Sequence, residues 1–159
     1  MIIGVLSDTH SFEIPEPVIQ RFKKVDLILH AGDFCDMHTL RLLQKLAPVK
    51  GVQGNMDAWD IKHELPLKDV ITCGDLRIGL THGHIGGGRD ALKNAASIFE
   101  NEKMDVVVFG HLHRTVNERI KGALYFNPGT PNDPGHMDDC TYGLMSIEGK
   151  KINAEIVKF

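Results

Sequence analysis

Five short motifs in this chain combine residue types and spacing that could do chemistry: Asp8-Thr9-His10, Gly32-Asp33, Gly54-Asn55, Thr81-His82-Gly83-His84 and Gly110-His111-Leu112-His113. Asp8, His10, Asp33, Asn55, His82, His111 and His113 offer oxygen and nitrogen donors, with no thiolate among them. That mixture suits a borderline or hard divalent metal rather than a Cys-based structural zinc. The donors are too many for one four-coordinate ion. They divide well between two ions that share one bridging carboxylate. Asp-x-His and His-x-His put two donors on one side of an extended segment, because side chains alternate along such backbone. On that reading His111 and His113 reach the same cluster, one per metal.

The elements that must position these donors can be read from the intervening residues. Ile2 to Leu6 is a short apolar run that predicts a buried strand. Pro15 to Lys24 has helical spacing at Val18, Ile19 and Phe22, with prolines at its start, where helices accept them. Val25 to His30 predicts a second strand. Asp36 to Leu46 predicts an amphipathic helix with Asp36 as N-cap, and Pro48 to Gln53 a third strand. Such strand–helix repetition is the pattern of a parallel sheet with covering helices.

The second half reads differently. Asp69 to Gly83 is a hairpin around Gly74-Asp75, Arg89 to Lys103 a helix, and Asp105 to Gly110 a strand. Two more hairpins follow, turning near Lys121-Gly122 and Glu148-Gly149. The fold expected is α/β: a two-sheet β-sandwich of mixed strands flanked by helices, in a single domain over residues 1–159. Every donor motif lies just past a predicted strand end. Sheets of this kind bind ligands outside the carboxyl ends of their strands, so the motifs are candidates for one shared site.

Composition narrows the function. The 159 residues suit one domain with a substantial core. A net charge of −3 gives no basic field for a membrane surface or a long nucleic acid. No apolar run approaches the ~20 residues of a membrane span, and the apolar start reads as a first strand rather than a signal peptide. Cys35, Cys73 and Cys140 are scattered, without CxxC spacing, which fits a reducing cytoplasm better than a disulfide framework. Histidine, with nine copies, is the outlier. Whether the chain forms a homo-oligomer is left open.

In this order, and across most of the chain, DTH, GD, GN, THGH and GHLH resemble the calcineurin-like metallophosphoesterase superfamily. The short chain and NPGT (Asn127 to Thr130) are similar to its small single-domain phosphodiesterase branch, which also contains the retromer subunit that uses the fold as a scaffold. The resemblance implies that Asp8, His10 and His113 bind one metal, that Asn55, His82 and His111 bind a second, and that Asp33 bridges them. It implies two divalent ions per chain, manganese first, with nickel, iron or zinc as alternatives. The activity implied is hydrolysis of a small phosphodiester through this dinuclear centre. Asn55, His82 and His111 would stabilise charge in the transition state, and Asn55 and His84 would contact substrate. One position departs from the wider pattern: GN is commonly followed by His, but here by Met56, whose thioether cannot donate a proton. The alternative is a metal-binding scaffold of the same fold. The retromer-like subunit departs at the His of the first motif, whereas His10 is present here. A metal-dependent nuclease is disfavoured by the acidic balance.

Plainer roles compete for the remaining residues. His84 either faces substrate or caps a turn. Gly86 to Asp90 could cradle a phosphate, but a flexible turn with Asp90 as a cap is favoured. His30, His38, His63 and His136 are expected at the surface or in packing; Phe12 and Trp59 flank metal motifs and could line a substrate cleft, but packing is favoured. Asp57 either orients a ligand residue or faces water. NPGT is expected to shape a tight loop under the site.

Overall fold

The computed structural model describes residues 1–86, 88–132 and 140–159. The elements run β1 (Ile2–Leu6), α1 (Glu16–Phe22), β2 (Leu27–His30), α2 (Met37–Gln44), β3 (Val49–Gly51), α3 (Trp59–Glu64), β4 (Lys68–Cys73), β5 (Leu76–Thr81), α4 (Ala91–Ile98), β6 (Val106–Val108), β7 (Thr115–Ile120), β8 (Ala123–Pro128), β9 (Thr141–Glu148) and β10 (Lys151–Lys158). They form two five-stranded sheets, ordered β10-β9-β1-β2-β3 and β4-β5-β6-β8-β7. In the first, β1, β2 and β3 are parallel, with Ile3 opposite Leu27 and Ile28 opposite Val49; the β9–β10 hairpin adds antiparallel to β1. In the second, β5, β6 and β8 are parallel, and β4 and β7 close the edges as antiparallel partners. Both sheets are mixed, as expected.

Alternation along the strands makes three apolar layers. Ile3, Val5, Leu27 and Leu29 of the first sheet meet Ile78, Leu80, Val106, Val108 and Phe126 of the second in the sandwich core. Leu6 and Ile28 face the other way, onto Val18 and Phe22 of α1, Leu40 and Leu43 of α2, and Ile61 of α3. Val107 faces Ala91, Ala95 and Phe99 at α4. Burying a side chain the size of Phe22 contributes roughly 1.5–3 kcal/mol. No helix among the described residues is long and apolar enough to cross a membrane.

The helices carry the differences from expectation. Asp36 caps α2 by accepting from the Thr39 backbone N–H at 2.9 Å, as its type and place predict. The helix expected over Arg89 to Lys103 is shorter: Asp90 caps it, and it ends at Ile98 because Phe99 leaves helical geometry to pack in the core. The α3 helix is not anticipated by the sequence reading. It has six residues, one buried side chain (Ile61) and no side-chain cap, so it leaves no periodic signal. His136 and Gly87 lie outside the described residues.

Candidate metal centre

The donor residues all follow the carboxyl ends of parallel strands: Asp8 and His10 after β1, Asp33 after β2, Asn55 after β3, His82 after β5, and His111 and His113 after β6. The backbone at five of them is not extended. Asp8, His10, Asp33, His111 and His113 have φ of 56°, 51°, 59°, 72° and 52°, in the left-handed region, as do Ser11 and Cys35. The expectation that Asp-x-His and His-x-His work by strand alternation is therefore corrected. The chain must swing off each strand and across the sheet ends, and extended backbone would carry the second donor away.

Hydrogen bonds between loops hold these turns. Asp8 N–H donates to Gly32 O at 3.0 Å and His10 N–H to Asp33 O at 3.0 Å, while Gly110 N–H donates to His82 O at 3.1 Å. The His111 N–H donates to Asp8 Oδ2 at 3.0 Å, joining the first loop to the last. Two glycines permit the approach: a Cβ on Gly54 would run into the Asp33 carboxylate, and one on Gly110 into Ser7 Oγ. Asp57, 4% exposed, accepts from the N–H groups of Asp33 (3.1 Å), Cys35 (2.6 Å) and Gly54 (2.6 Å). It clamps two donor loops together and does not face water. The NPGT segment does underlie the site. Asn127 donates to Gly110 O at 2.9 Å, and the Thr130 hydroxyl to Asp8 O at 2.7 Å.

The side chains converge on Asp8. His113 Nε2 is 3.5 Å and His10 Nε2 3.9 Å from Asp8 Oδ1, and the two ring nitrogens are 3.0 Å apart. On the other side His82 Nε2 is 3.3 Å from Asp33 Oδ2 and 3.1 Å from Asn55 Oδ1. The His82 ring lies 5.1 Å from that of His111 and 5.2 Å from that of His84. Two groups have donor atoms within 4.8 Å of one another: Asp8, His10 and His113; and Asp8, Asp33 and His82. Asp8 is the carboxylate common to both. All seven donors expected from the sequence, and His84, are thus brought to one face.

This arrangement suits cations. Asp8 is fully buried and its Oδ1 has no hydrogen-bond partner, a costly state for a carboxylate unless positive charge faces it. Burial opposes ionisation of Asp8, yet His113, with Nε2 3.5 Å from Oδ1, and the charge of His82 hold its carboxyl below the usual range. Asp33 is lowered likewise: burial acts against ionisation, and the His82 hydrogen bond outweighs it. His82 is pushed up: burial disfavours its charge, but the Asp33 hydrogen bond and the Asp8 charge outweigh burial. His84 and His111 are pushed down, first by burial and then by the charge of His82.

Several supporting residues take roles that their types alone do not announce, and others fall where the sequence predicts. His30 is fully buried, stacked on Phe34 at 3.5 Å, and pushed down to about 3 by burial. Its Nδ1 accepts from Gly32 N–H at 3.3 Å, so Nε2–H donates to Thr9 Oγ1 at 3.2 Å. Asn94 on α4 holds the loop after His82, donating to Gly83 O at 2.9 Å. Asp90 accepts from Leu92 and Lys93 N–H as a cap, the role favoured above. Phe12 and Trp59 are not packed but exposed, at 45% and 78%; Trp59 stacks on His63, and His38 is also exposed. Thr9 and Asn94 are not singled out by sequence. Neither type, alone, signals a loop clamp.

Comparison with known proteins agrees with this geometry. Residues 1–150 match the model of the calcineurin-like phosphoesterase superfamily domain. A probable metallophosphoesterase of Methanothermobacter thermautotrophicus is 36% identical over 165 residues, covering 99% of this chain and 92% of that protein. A phosphodiesterase of Methanocaldococcus jannaschii is 30% identical and covered to 99%, as is this chain. Among solved structures, Vps29 of Entamoeba histolytica in complex with zinc superposes with a TM-score of 0.78 at 25% identity, over 99% of each chain. With its motifs gathered at the ends of two mixed sheets and the match running nearly end to end, the chain belongs to the calcineurin-like phosphoesterase superfamily.

Proposed function

We propose that this protein is a divalent-metal-dependent phosphodiesterase that cleaves small phosphodiesters at a dinuclear centre. The observation that carries this reading is the buried, unpartnered Asp8 Oδ1, faced by His10 and His113 on one side and by Asp33 and His82 on the other. Asp8, His10 and His113 would hold one ion, Asn55, His82 and His111 the other, with Asp33 serving both. The resemblance to the family puts manganese first; nickel, iron and zinc are alternatives that the imidazoles of the set also suit. Two bound ions would supply Lewis acidity for the phosphoryl oxygens and a water acidic enough to attack near neutral pH.

The protein's own groups orient and stabilise. His82 Nδ1 lies 2.8 Å from Ala31 O, so Nδ1–H donates to that carbonyl and Nε2 is directed into the site. Asn55, His82 and His111 would stabilise the charge that grows on phosphorus oxygens. His84, whose buried Nδ1 has no partner, would offer a ring N–H to a substrate oxygen. The likeness to Vps29 favours a second reading, a scaffold of the same fold. The free thiols of Cys35, Cys73 and Cys140 suit a reducing cytoplasm. The acidic balance disfavours long nucleic acid, and self-association is compatible with either reading.

Met56 sets the preference for diesters. It is 60% exposed, and only its backbone N–H, donating to Asp33 Oδ1 at 2.8 Å, takes part in the site. General acid help to a leaving oxygen is worth about 10²–10⁴-fold, and a thioether gives none. Aryl diesters need little such help. A dianionic monoester would bind the ions tightly in the ground state, which does not raise the rate. Bis-aryl phosphate should therefore be cleaved faster than the matching monoaryl phosphate. Met56→His should narrow that gap by raising monoesterase activity. Steady-state assays of both variants with manganese, alongside elemental analysis showing about two ions per chain, test the reading. No metal-dependent turnover would favour the scaffold; one ion or none at saturation would remove the dinuclear centre; a wild-type preference for the monoester would remove the diester claim.

A further inference from the structure

We infer that Cys35 is a positioning residue for His10, and that its thiol makes the Asp8–His10–His113 position the weaker of the two cation positions. The inference rests on the dinuclear reading above and concerns how unequally its halves are supported.

His10 turns its Nε2 toward Asp8 Oδ1 and His113 Nε2. A nitrogen that binds a cation needs its lone pair, so a ligating Nε2 leaves the ring proton on Nδ1. His10 Nδ1 lies 3.5 Å from Cys35 Sγ. The bond this implies is Nδ1–H donating to sulfur. The thiol is held in place to receive it. Cys35 takes a φ of 68°, its N–H donates to Asp57 Oδ1 at 2.6 Å, and the adjoining Phe34 O accepts from Ser11 N–H at 3.1 Å. The segment carrying Cys35 is thus tied to the segment carrying His10.

On the other side the corresponding partner is of a different kind. His82 is fully buried and its Nδ1 meets a backbone carbonyl, Ala31 O, at 2.8 Å. A carbonyl is a strong acceptor and a thiol sulfur a weak one. A good acceptor on the outer nitrogen fixes the ring and raises its basicity as a ligand. His10, with a weak acceptor and 20% of its side chain exposed, is the less firmly held ring. The buried, unpartnered Asp8 Oδ1 faces both positions, so it does not remove the difference.

Calorimetric titration of the metal-free protein with manganese tests this. Wild type should show two binding events of unequal affinity. Cys35→Ala should weaken the weaker event by about 10–100-fold and leave the tighter one unchanged. Cys35→Ser, which keeps an acceptor, should recover most of that loss. Both variants place a Cβ at the same left-handed backbone position, so their difference reports the acceptor and not the strain. Long-range ¹H–¹⁵N correlations of the zinc-loaded protein should show the His10 Nδ1 proton shifted in Cys35→Ala while that of His82 stays. Two events insensitive to Cys35→Ala, or weakened equally, would overturn this inference alone. Fewer than two ions on wild type would overturn the dinuclear reading and this inference with it.

Discussion

At both ends of the sandwich the backbone turns through the left-handed region, but different residues make the turn. The β4–β5, β7–β8 and β9–β10 hairpins close at the end away from the donors. There the residues with positive φ include Gly74 (62°), Gly122 (90°) and Gly149 (58°), and a Cβ added to any of them would meet nothing within 4 Å. Lys121, at φ 50°, shares its two-residue turn with Gly122. At the donor end Gly32 and Gly83 also turn with positive φ, but the conformation falls as well on Asp8, His10, Ser11, Asp33, Cys35, His111 and His113. For a residue with a Cβ it costs roughly 1–2 kcal/mol. Where only a turn is required, glycine removes the cost. Where a side chain must point across a sheet end, the cost remains, and loop-to-loop hydrogen bonds hold it in place. Strain of this kind gathers where function requires it.

The sharpest way to break the comparison is Asp33→Asn. Asn tolerates left-handed backbone about as well as Asp, so the turn should survive while the carboxylate is lost. Turnover of a bis-aryl phosphate should fall at least about 10³-fold, given that one transition-state donor alone is worth about 10²–10³-fold. Both metal-binding events should weaken, with the melting temperature of the metal-free protein little changed. Near-normal activity and metal content would end the assignment. If Asp8→Asn removes both events and Asp33→Asn only one, the shared carboxylate is Asp8.

Asp57→Asn should act less strongly. It touches only backbone, but the backbone of two donor loops. Replacing one acceptor oxygen by an amide leaves a buried N–H facing a donor, at about 1–3 kcal/mol. Turnover should fall about 10–100-fold. Denaturant titration and steady-state kinetics on one preparation would read both, and a stability loss with unchanged turnover would mean that the clamp does not set donor geometry. The smallest effect belongs to the far end. Gly149→Ala should lower stability by about 1–2 kcal/mol and leave kcat and metal affinity alone. A loss of turnover approaching that of Asp57→Asn would erase the distinction between the two ends.

The strands and most helices are legible because burial writes periodicity into them. Ile2 to Leu6 and Asp69 to Thr81 read as strands at sight, and Asp36 and Asp90 announce their caps by type and place. The six-residue α3 is silent because one buried Ile61 makes no period. The donor set is legible because Asp, Asn and His recur at strand ends in one order. The conformation that presents it is not. Glycine marks positive φ in a sequence, but Asp8 and His10 adopt it without a mark, since only contacts between distant loops hold them there. For the same reason His30 reads as ordinary packing, although its bonds to Thr9 and Gly32 reach the loops of two donors.

The donors come from two separate layers, four from one and three from the other. Asp8, His10, Asp33 and Asn55 follow strands of the first sheet; His82, His111 and His113 follow strands of the second. An ion gripped from both would be a rivet through the seam of the sandwich, resisting any sliding of one sheet over the other. Because the unfolded chain cannot grip it in this way, occupancy at a hundred times the dissociation constant would add about 2.7 kcal/mol to stability. That is a large fraction of what a domain of this size has in reserve. The chain's lifetime against proteolysis would then track the supply of metal around it, so that the cofactor governs how much protein persists as well as what it does.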